Sequence, residues 1–206
     1  MKRVALIAST LLLSLLVSCT KKEVNIIPKP VSIIKGEGGF TISHSTLITF
    51  DKGDSSAVKV AIYLEGLLKK VGINTSCHES LGDGGSAIRF TSVGAIDTLG
   101  NEGYELTVNK DGIIIKAKYA NGYFYAIQTL RQLMPKGFNK ADAQFSKLRV
   151  PAVSIVDKPR FKWRGMNFDC CRHFMSKEFV KRYIDLLAYH KMNIFHWHLT
   201  EDQGWR

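Results

Sequence analysis

The sequence predicts two units in series: an α+β domain over residues 24–158 and, over residues 159–206, one strand–helix–strand unit of a parallel α/β fold. Two observations predict this division. The first unit alternates short strand patterns, joined in hairpins, with two amphipathic helices, which is typical of an α+β domain with an antiparallel sheet. The second unit places an amphipathic helix between two nearly continuous apolar runs, as in a buried parallel sheet.

The strand patterns of the first unit are short and rich in β-branched residues. "FTISHSTLITF" (40–50) and "AIRFTSV" (87–93) fit strands, the first of them with a turn inside it. In "YELTVNKDGIIIKAK" (104–118), apolar and polar residues alternate ahead of Asp111-Gly112. We therefore expect a hairpin with a left-handed turn at this dipeptide.

Two helices complete the first unit. One covers residues 55–70, with Gly72 just beyond its end. Its apolar face comprises Val60, Ala61, Leu64, Leu67 and Leu68. The second helix has Tyr123, Ile127, Leu130 and Met134 at the same spacing and is ended by Pro135. Both helices are expected on one side of the sheet.

The second unit begins after "RVPAVSIVDKPRF" (149–161), whose two prolines favour a connector. "RGMNFDCC" (164–171) and "MNIFHWHL" (192–199) predict strands buried on both faces. Between them, Ser176 is placed to cap a helix. The apolar stripe of this helix comprises Phe179, Val180, Tyr183, Ile184, Leu187 and Ala188. A right-handed crossover would make the two strands parallel neighbours or near neighbours.

The first 18 residues are predicted to be a signal peptide, because Lys2 and Arg3 precede a short apolar stretch, Val4 to Val17. Leu16-Val17-Ser18-Cys19 resembles a bacterial lipobox, in which the cysteine becomes the lipidated first residue of the mature protein. We expect export to the cell envelope, periplasmic or at the cell surface, with a membrane lipid on Cys19 and residues 19–23 as a tether. An ordinary signal peptide with an incidental cysteine is the alternative.

Charge and cysteine content argue against two classes of function. The formal net charge is +11, but the basic residues are dispersed and not interleaved with aromatics, so no nucleic-acid partner is expected. Cys77, Cys170 and Cys171 suggest no disulfide framework and are interpreted as buried free thiols. A metal site built on Cys170 and Cys171 is not expected, because neighbours on a strand point to opposite faces.

Candidate functional residues follow both strands of the second unit, where parallel α/β folds carry their chemistry. Arg172-His173 follows the first strand, and Glu201-Asp202 with Trp205 follows the second, so both clusters would share one rim. A guanidinium beside carboxylates and an indole suits a sugar, whose hydroxyls both donate and accept hydrogen bonds. A purely structural ion pair between Arg172 and Asp202 is the alternative.

Two histidines raise the question of a metal. His196 and His198 would share one strand face and offer two ligands. Histidines flanking Trp197 inside a buried strand also suit hydrogen-bonded core groups. Since the sequence identifies no third ligand, no metal site is predicted, and a metal-dependent hydrolase remains an alternative.

Residues 163–206, "WRGMNFDCCRHFMSKEFVKRYIDLLAYHKMNIFHWHLTEDQGWR", closely resemble the opening of the catalytic (β/α)8 TIM barrel of family 20 glycoside hydrolases, the β-N-acetylhexosaminidases. Residues 24–158 are similar to that family's accessory domain, notably in "IIPKPVSI", "GYELTV", "GIIIKAKYANGYFYAIQTLRQLMP" and "DKPRF". The resemblance covers essentially all of the chain behind the signal peptide. It implies an α+β accessory domain followed by the first β/α/β elements of an incomplete barrel.

The resemblance implies that terminal non-reducing β-linked N-acetylhexosamine, GlcNAc or GalNAc, is removed from glycans without a cofactor. Arg172 would bind hydroxyls of the terminal sugar, because a guanidinium fork makes bidentate contacts. Asp202 would belong to the hydrogen-bond network of the site, supported by His173, Glu201 and Trp205. Arg164 and Asp169 also match family positions, and scaffold roles are favoured for them.

In the family, the substrate's own acetamido oxygen attacks the anomeric carbon, assisted by an adjacent Asp-Glu pair, and the configuration is retained. The resemblance places that pair further along the barrel, whereas Glu201-Asp202 belongs to a different motif. The chain is therefore expected to be the front portion of a longer enzyme, inactive alone, with the catalytic pair beyond Arg206. A non-catalytic glycan-binding surface lipoprotein is the alternative.

Overall fold

The computed structural model describes residues 24–80, 86–202, 204 and 205. The predicted signal peptide and Cys19 lie outside these ranges. The first unit is a seven-stranded sheet with two helices, which confirms the α+β class. Its strands are β1 (Ser32–Ile42), β2 (Leu47–Phe50), β3 (Ser76–Glu79), β4 (Ala87–Thr91), β5 (Tyr104–Val108), β6 (Gly112–Lys116) and β7 (Leu148–Asp157). Its α-helices are α1 (Ser55–Lys70) and α2 (Ala120–Leu133).

The sheet is mixed, with the strand order β1-β7-β5-β6-β4-β2-β3. Strands β1, β7, β5 and β6 pair antiparallel, whereas β6, β4, β2 and β3 pair parallel. The helix α1 carries the chain from β2 to β3, and such a crossover returns it in the same direction. The alternation of apolar and polar residues within the strands predicts an antiparallel sheet. This pattern contains no information on the crossover through α1, so it does not predict the parallel pairs of β6, β4, β2 and β3.

One buried layer joins the helices to the sheet. The predicted face of α1 is confirmed, since Val60, Ala61, Leu64 and Leu68 are buried and Leu67 packs against the same core. Asp54 caps this helix, because its Oδ1 accepts a hydrogen bond from the backbone N–H of Ala57 at 3.0 Å. Within the described ranges, no helix is both long and apolar enough to cross a bilayer.

The predicted hairpin between β5 and β6 is confirmed, but the left-handed turn at Asp111-Gly112 is wrong, since neither residue has a positive φ. Instead, Oδ1 of Asn109 accepts hydrogen bonds from the backbone N–H groups of Asp111 at 2.8 Å and Gly112 at 3.0 Å. This side chain organises the turn. Gly112 is required for space, because a Cβ there would lie 2.6 Å from the carbonyl oxygen of Ala87 in β4.

The interpretation of residues 149–161 as a connector is wrong for most of that stretch. Residues 149–157 belong to β7, an interior strand that pairs with both β1 and β5. Pro151 is tolerated there because it lies opposite Gly39, at the point where the register of β1 shifts. Only the residues after Asp157 lead out of the sheet.

The second unit consists of β8 (Gly165–Asp169), α3 (Lys177–Tyr189) and β9 (Ile194–His198), followed by the short hairpin of β10 (Thr200–Glu201) and β11 (Gly204–Trp205). Strands β8 and β9 are parallel neighbours, with Asp169 opposite His198, as predicted. The predicted cap is confirmed, since Oγ of Ser176 accepts a hydrogen bond from the N–H of Phe179 at 3.2 Å.

The prediction that β8 and β9 are buried on both faces is wrong. Phe168 is buried and its ring lies 4.5 Å from that of Tyr183 on α3. In contrast, Met166 and Trp197 are 44% and 46% exposed. Both side chains lie on the same face as Phe168, because Met166 precedes Phe168 by two residues and Trp197 lies opposite it, so α3 covers that face only in part within the described residues.

A buried ion pair joins the two units. Lys191 follows α3 in the left-handed conformation, at φ 59°, and is 6% exposed. Its Nζ donates to Oδ2 of Asp157 at 2.9 Å and to the hydroxyl of Tyr104 at 2.8 Å. The Tyr104 hydroxyl also donates to Oδ2 of Asp157 at 2.9 Å. Burial lowers the pKa of Lys191, and the Asp157 carboxylate opposes that shift.

Arg164 makes a second link between the units. Its Nη1 and Nη2 donate to the two carboxylate oxygens of Glu102 at 3.1 and 2.8 Å, and its Nε donates to the carbonyl oxygen of Lys191 at 2.8 Å. Hydrogen bonds from Arg164 lower the pKa of Glu102. Burial, and then the charge of Glu102, raise the pKa of Tyr125 to about 12. Arg164 therefore serves the scaffold in this structure.

Candidate functional site

The two predicted clusters meet at the carboxyl ends of β8 and β9. Arg172 lies in the loop after β8, and Glu201 lies in β10, just beyond β9. The Nη2 atom of Arg172 is 2.5 Å from Oε2 of Glu201, and its Nη1 atom is 2.6 Å from Oδ2 of Asp169. One guanidinium thus bridges both strand ends, as the shared rim of parallel neighbours predicts.

Asp169 builds the loop that presents Arg172. Its Oδ1 accepts hydrogen bonds from the backbone N–H groups of Cys171 and Arg172 at 3.1 and 3.2 Å, and from Sγ of Cys171 at 3.0 Å. The Cys171 thiol, followed by Arg172, holds the pKa of Asp169 well below its usual range. The hydrogen bond to this carboxylate raises the pKa of Cys171 to about 11.

The alternative of an ion pair between Arg172 and Asp202 is wrong, because Arg172 is paired with Asp169 and Glu201. Asp202 is exposed in the turn after β10, and His173 is exposed in the loop after β8. Trp205 lies in β11 and pairs with Thr200. Glu201, and not Asp202, is the residue of the second cluster that pairs with Arg172.

The ion pairs orient the guanidinium without covering it. The Arg172 side chain is 60% exposed, whereas the side chains of Asp169 and Glu201 are 31% and 32% exposed. An arginine carries more N–H donors than these two contacts use, so the fork keeps donors for a ligand. The rim therefore offers a fixed set of donors beside two carboxylates, which matches the alternating donors and acceptors of a polyol.

The two histidines of β9 have different surroundings and do not form a two-ligand site with each other. Their rings are stacked with centroids 6.2 Å apart, but His196 is exposed and His198 is half-buried. His198 faces other groups: its Nδ1 lies 3.8 Å from Oδ1 of Asp169, and its Nε2 lies 3.7 Å from Oε2 of Glu201. Among the described residues, donor atoms of Asp169, Cys171 and His198 form a compact group.

Two members of this cluster, Asp169 and Cys171, are not among the predicted site residues. Asp169 builds the loop, as a scaffold residue does, and its i, i+3 spacing to Arg172 was a usable signal for the ion pair. Strand alternation does not extend to Cys171, because β8 ends at Asp169. Cys170 has a different role, since the indole N–H of Trp197 donates to its Sγ at 3.3 Å. Both thiols are free and buried as predicted, whereas Cys77 is free and only half-buried.

A cavity of about 360 Å³ lies away from this rim, at the junction of the two units. Its lining residues are Glu102, Asn121, Phe124, Tyr125 and Asn193. The carboxylate of Glu102 in its wall accepts hydrogen bonds from Arg164 and, at 3.4 Å, from Nδ2 of Asn193. These polar groups hold the units together, so the rim remains the candidate site.

Comparisons with known proteins match both units. The family model described as "Glycosyl hydrolase family 20, domain 2" matches residues 23–158, and the model described as "Glycosyl hydrolase family 20, catalytic domain" matches residues 161–206. Together, the two models extend over both the sheet domain and the strands that carry the rim.

Similar proteins carry related names. A beta-hexosaminidase of Porphyromonas gingivalis is 36% identical over 185 residues, which is 90% of this chain and 24% of that protein. A beta-N-acetylhexosaminidase of Cellulomonas fimi is 33% identical over 186 residues, which is 89% of this chain and 36% of that protein. The chain thus spans about a quarter to a third of these relatives.

Solved structures agree with these matches. A mutant beta-hexosaminidase of Streptomyces plicatus in complex with its product GlcNAc superposes with a TM-score of 0.77 at 39% identity, covering 88% of this chain and 35% of that one. The beta-N-acetylhexosaminidase of Bacteroides fragilis superposes with a TM-score of 0.70 at 30% identity, covering 89% and 35%. The arrangement of the sheet domain and the strands that follow it is shared with these enzymes.

Proposed function

Because this chain belongs to glycosyl hydrolase family 20, we propose that its protein removes terminal, non-reducing β-linked N-acetylhexosamine, GlcNAc or GalNAc, from glycans. The relatives named above support this substrate class, since they are beta-hexosaminidases and one of them was solved with GlcNAc. Within this protein, the chain contributes the sugar-binding rim at the ends of β8 and β9.

One observation carries this proposal: the Arg172 guanidinium is held by Asp169 and Glu201 and still exposes more than half of its side chain. A guanidinium fixed in this way binds two neighbouring sugar hydroxyls without first losing conformational freedom. Asp202 and Glu201 add acceptors at the same rim. His173 and Trp205 are proposed to support the sugar from the loop after β8 and from β11.

The proposed reaction is substrate-assisted and retains the anomeric configuration. The acetamido oxygen of the sugar attacks the anomeric carbon, and the glycosidic bond breaks as a general acid protonates the leaving oxygen. Water then opens the cyclic intermediate. A general acid needs a raised pKa, whereas the pKa of Asp169 is lowered by Cys171 and Arg172. Asp169 therefore serves recognition, and the acid–base step is assigned to other residues.

The enzyme expressed from its own gene is expected to release 4-nitrophenol from 4-nitrophenyl N-acetyl-β-glucosaminide. The matching β-glucoside, which lacks the acetamido group, should not be turned over, because the attacking oxygen is missing. Proton NMR of the first product should show the β-anomer. Hydrolysis of both glycosides, or an α-anomer as the first product, would contradict the substrate-assisted mechanism.

Two controls separate this function from its alternatives. A glycan-binding lipoprotein without catalysis would retain GlcNAc and release no 4-nitrophenol. A metal-dependent hydrolase that uses His196 and His198 would lose activity in the presence of EDTA, whereas the proposed mechanism predicts no loss.

We also propose that the protein is exported and lipid-anchored through Cys19. The charged Lys2-Arg3 pair, the apolar stretch behind it and the small residue before Cys19 support this location. Metabolic labelling with an alkyne-bearing palmitate analogue should label the wild-type protein and fail to label Cys19→Ser. Cys77→Ser is the matched control and should label normally. Equal labelling of both variants would exclude Cys19 as the anchor.

A further inference from the structure

Four side chains with donor atoms that bind metals converge behind the ends of β8 and β9. The Sγ atom of Cys171 lies 3.0 Å from Oδ1 of Asp169, 3.9 Å from Nε2 of His198 and 3.8 Å from Oε2 of Glu201. His198 lies 3.8 Å from Asp169 and 3.7 Å from Glu201 through its two ring nitrogens. The thiol therefore sits at the centre of a group of one imidazole and two carboxylates.

These separations are close to those of a tetrahedral zinc site. Zinc–ligand bonds of about 2.0–2.3 Å at tetrahedral angles place neighbouring ligand atoms about 3.3–3.6 Å apart. The distances from Oδ1 of Asp169 to Sγ of Cys171 and to Nδ1 of His198 are 3.0 and 3.8 Å, and Sγ lies 4.0 Å from that Nδ1, so the three separations bracket this range. These three donor atoms can share one ion, which would take water as its fourth ligand.

We propose that Asp169, Cys171 and His198 bind a thiophilic divalent cation, of which Zn²⁺ fits best. One thiolate and one imidazole select zinc over Mg²⁺ or Ca²⁺, which prefer oxygen ligands alone. On binding, a bond from Sγ of Cys171 to the metal replaces its S–H bond, and one proton leaves to solvent. Access is open, because the side chains of Asp169, His198 and Glu201 are 31%, 27% and 32% exposed.

The charges of the cluster also allow a bound cation. With the metal in place, the charges of Asp169, Glu201 and the thiolate are balanced by Zn²⁺ and by Arg172. The ion competes with Arg172 for the carboxylate of Asp169, whose Oδ2 the guanidinium contacts at 2.6 Å. Resting on the function proposed above, this competition predicts that Zn²⁺ inhibits the enzyme by releasing Arg172 from its sugar-binding orientation. The ion has no part in the reaction itself.

The test uses cobalt as a spectroscopic substitute for zinc in the purified full chain. Titration with Co²⁺ should give a thiolate-to-metal charge-transfer band in the near ultraviolet and intense visible bands of tetrahedral Co²⁺, and one equivalent of Zn²⁺ should abolish both. Zn²⁺ X-ray absorption on the unsubstituted chain should show one sulfur ligand at about 2.3 Å. A coordination shell of nitrogen and oxygen alone would overturn the proposal without reliance on any variant.

Neighbouring residues provide matched controls. Even outer-shell partners are worth about 10–100-fold in metal affinity, so Cys171→Ser and His198→Ala should each weaken Zn²⁺ binding more than about 100-fold. Cys170→Ser and His196→Ala alter the adjacent thiol and the other histidine of β9, and both should bind Zn²⁺ as the wild type does. Circular dichroism establishes that each variant is folded. Equal losses in both members of a pair would overturn the ligand assignment.

The proposal of metal binding and the proposal of glycoside hydrolysis can be contradicted independently of each other. The Co²⁺ bands report on the cluster whether or not any glycoside is hydrolysed. If the bands appear as expected and glycosides are not hydrolysed, the metal site stands and the hydrolase proposal falls. If glycosides are hydrolysed and no thiolate band forms, the metal site is wrong and the hydrolase proposal stands.

Discussion

Replacement of Arg172 by alanine is expected to lower kcat/KM for GlcNAc glycosides by roughly 100- to 1,000-fold, or about 3–4 kcal/mol. Each hydrogen bond to a charged donor is worth about 1.5–3 kcal/mol, and a fork directed at two hydroxyls makes two of them. The variant also leaves Asp169 and Glu201 without the cation that both contact. Their repulsion should disorder the rim and add to the loss.

The experiment compares Arg172→Ala with Arg172→Lys and Arg149→Ala in the enzyme expressed from its own gene. A lysine retains the charge but cannot bridge Asp169 and Glu201 with a planar fork, so we expect it to recover only part of the lost rate. Arg149 is exposed on β7 of the sheet domain, where it lies opposite Thr41 of β1, and its replacement should leave kcat/KM unchanged. An Arg172→Ala variant within tenfold of the wild type would contradict the sugar-binding role.

The Lys191→Met variant is expected to lower the free energy of unfolding by about 3–5 kcal/mol. Lys191, Asp157 and Tyr104 are buried, and within the described residues no other ammonium or guanidinium pairs with Asp157. Removal of Lys191 leaves a carboxylate without a countercharge where water does not compensate. Methionine keeps the length of the side chain, and it experiences the same left-handed φ as lysine, so the backbone strain cancels in the comparison.

Urea unfolding of the full chain, followed by circular dichroism, tests this expectation. The double variant Lys191→Met with Asp157→Asn should regain about 1–3 kcal/mol of the loss, because it removes the unpaired charge. Lys59 is exposed on α1, and Lys59→Met should change stability by no more than about 0.5 kcal/mol. A loss below about 1 kcal/mol for Lys191→Met would show that the ion pair does not hold the two units together.

The two links between the units have consequences for the site. Lys191 lies two residues beyond the end of α3, and Arg164 directly precedes β8, so both ends of the βα segment are tied to the sheet domain. The Arg164 fork contacts Glu102 with both nitrogen atoms, a geometry that fixes direction as well as distance. The sheet domain therefore positions the start of β8, while the rim residues lie at its opposite end.

Local patterns were sufficient to predict several features of this protein. The helix α3 could be predicted together with its Ser176 cap, because apolar spacing and capping depend on residues within a few positions of one another. The β5–β6 hairpin followed from alternation in the same way. The meeting of Arg172 and Glu201 was also predictable, because two parallel strands joined by a helix place their carboxyl ends side by side.

Contacts between segments that are distant in the chain determined the features that local patterns did not predict. The assignment of residues 149–157 failed because the place of Pro151 in β7 depends on a register shift of β1, more than a hundred residues away in the chain. The partners of Arg172 depend on which side of β10 faces the loop after β8, and alternation alone does not orient a two-residue strand. Cys171 joined His198 and Glu201 for the same reason: such a cluster is created by the pairing of strands and the loops between them, and the spacing of its residues along the chain does not reveal it.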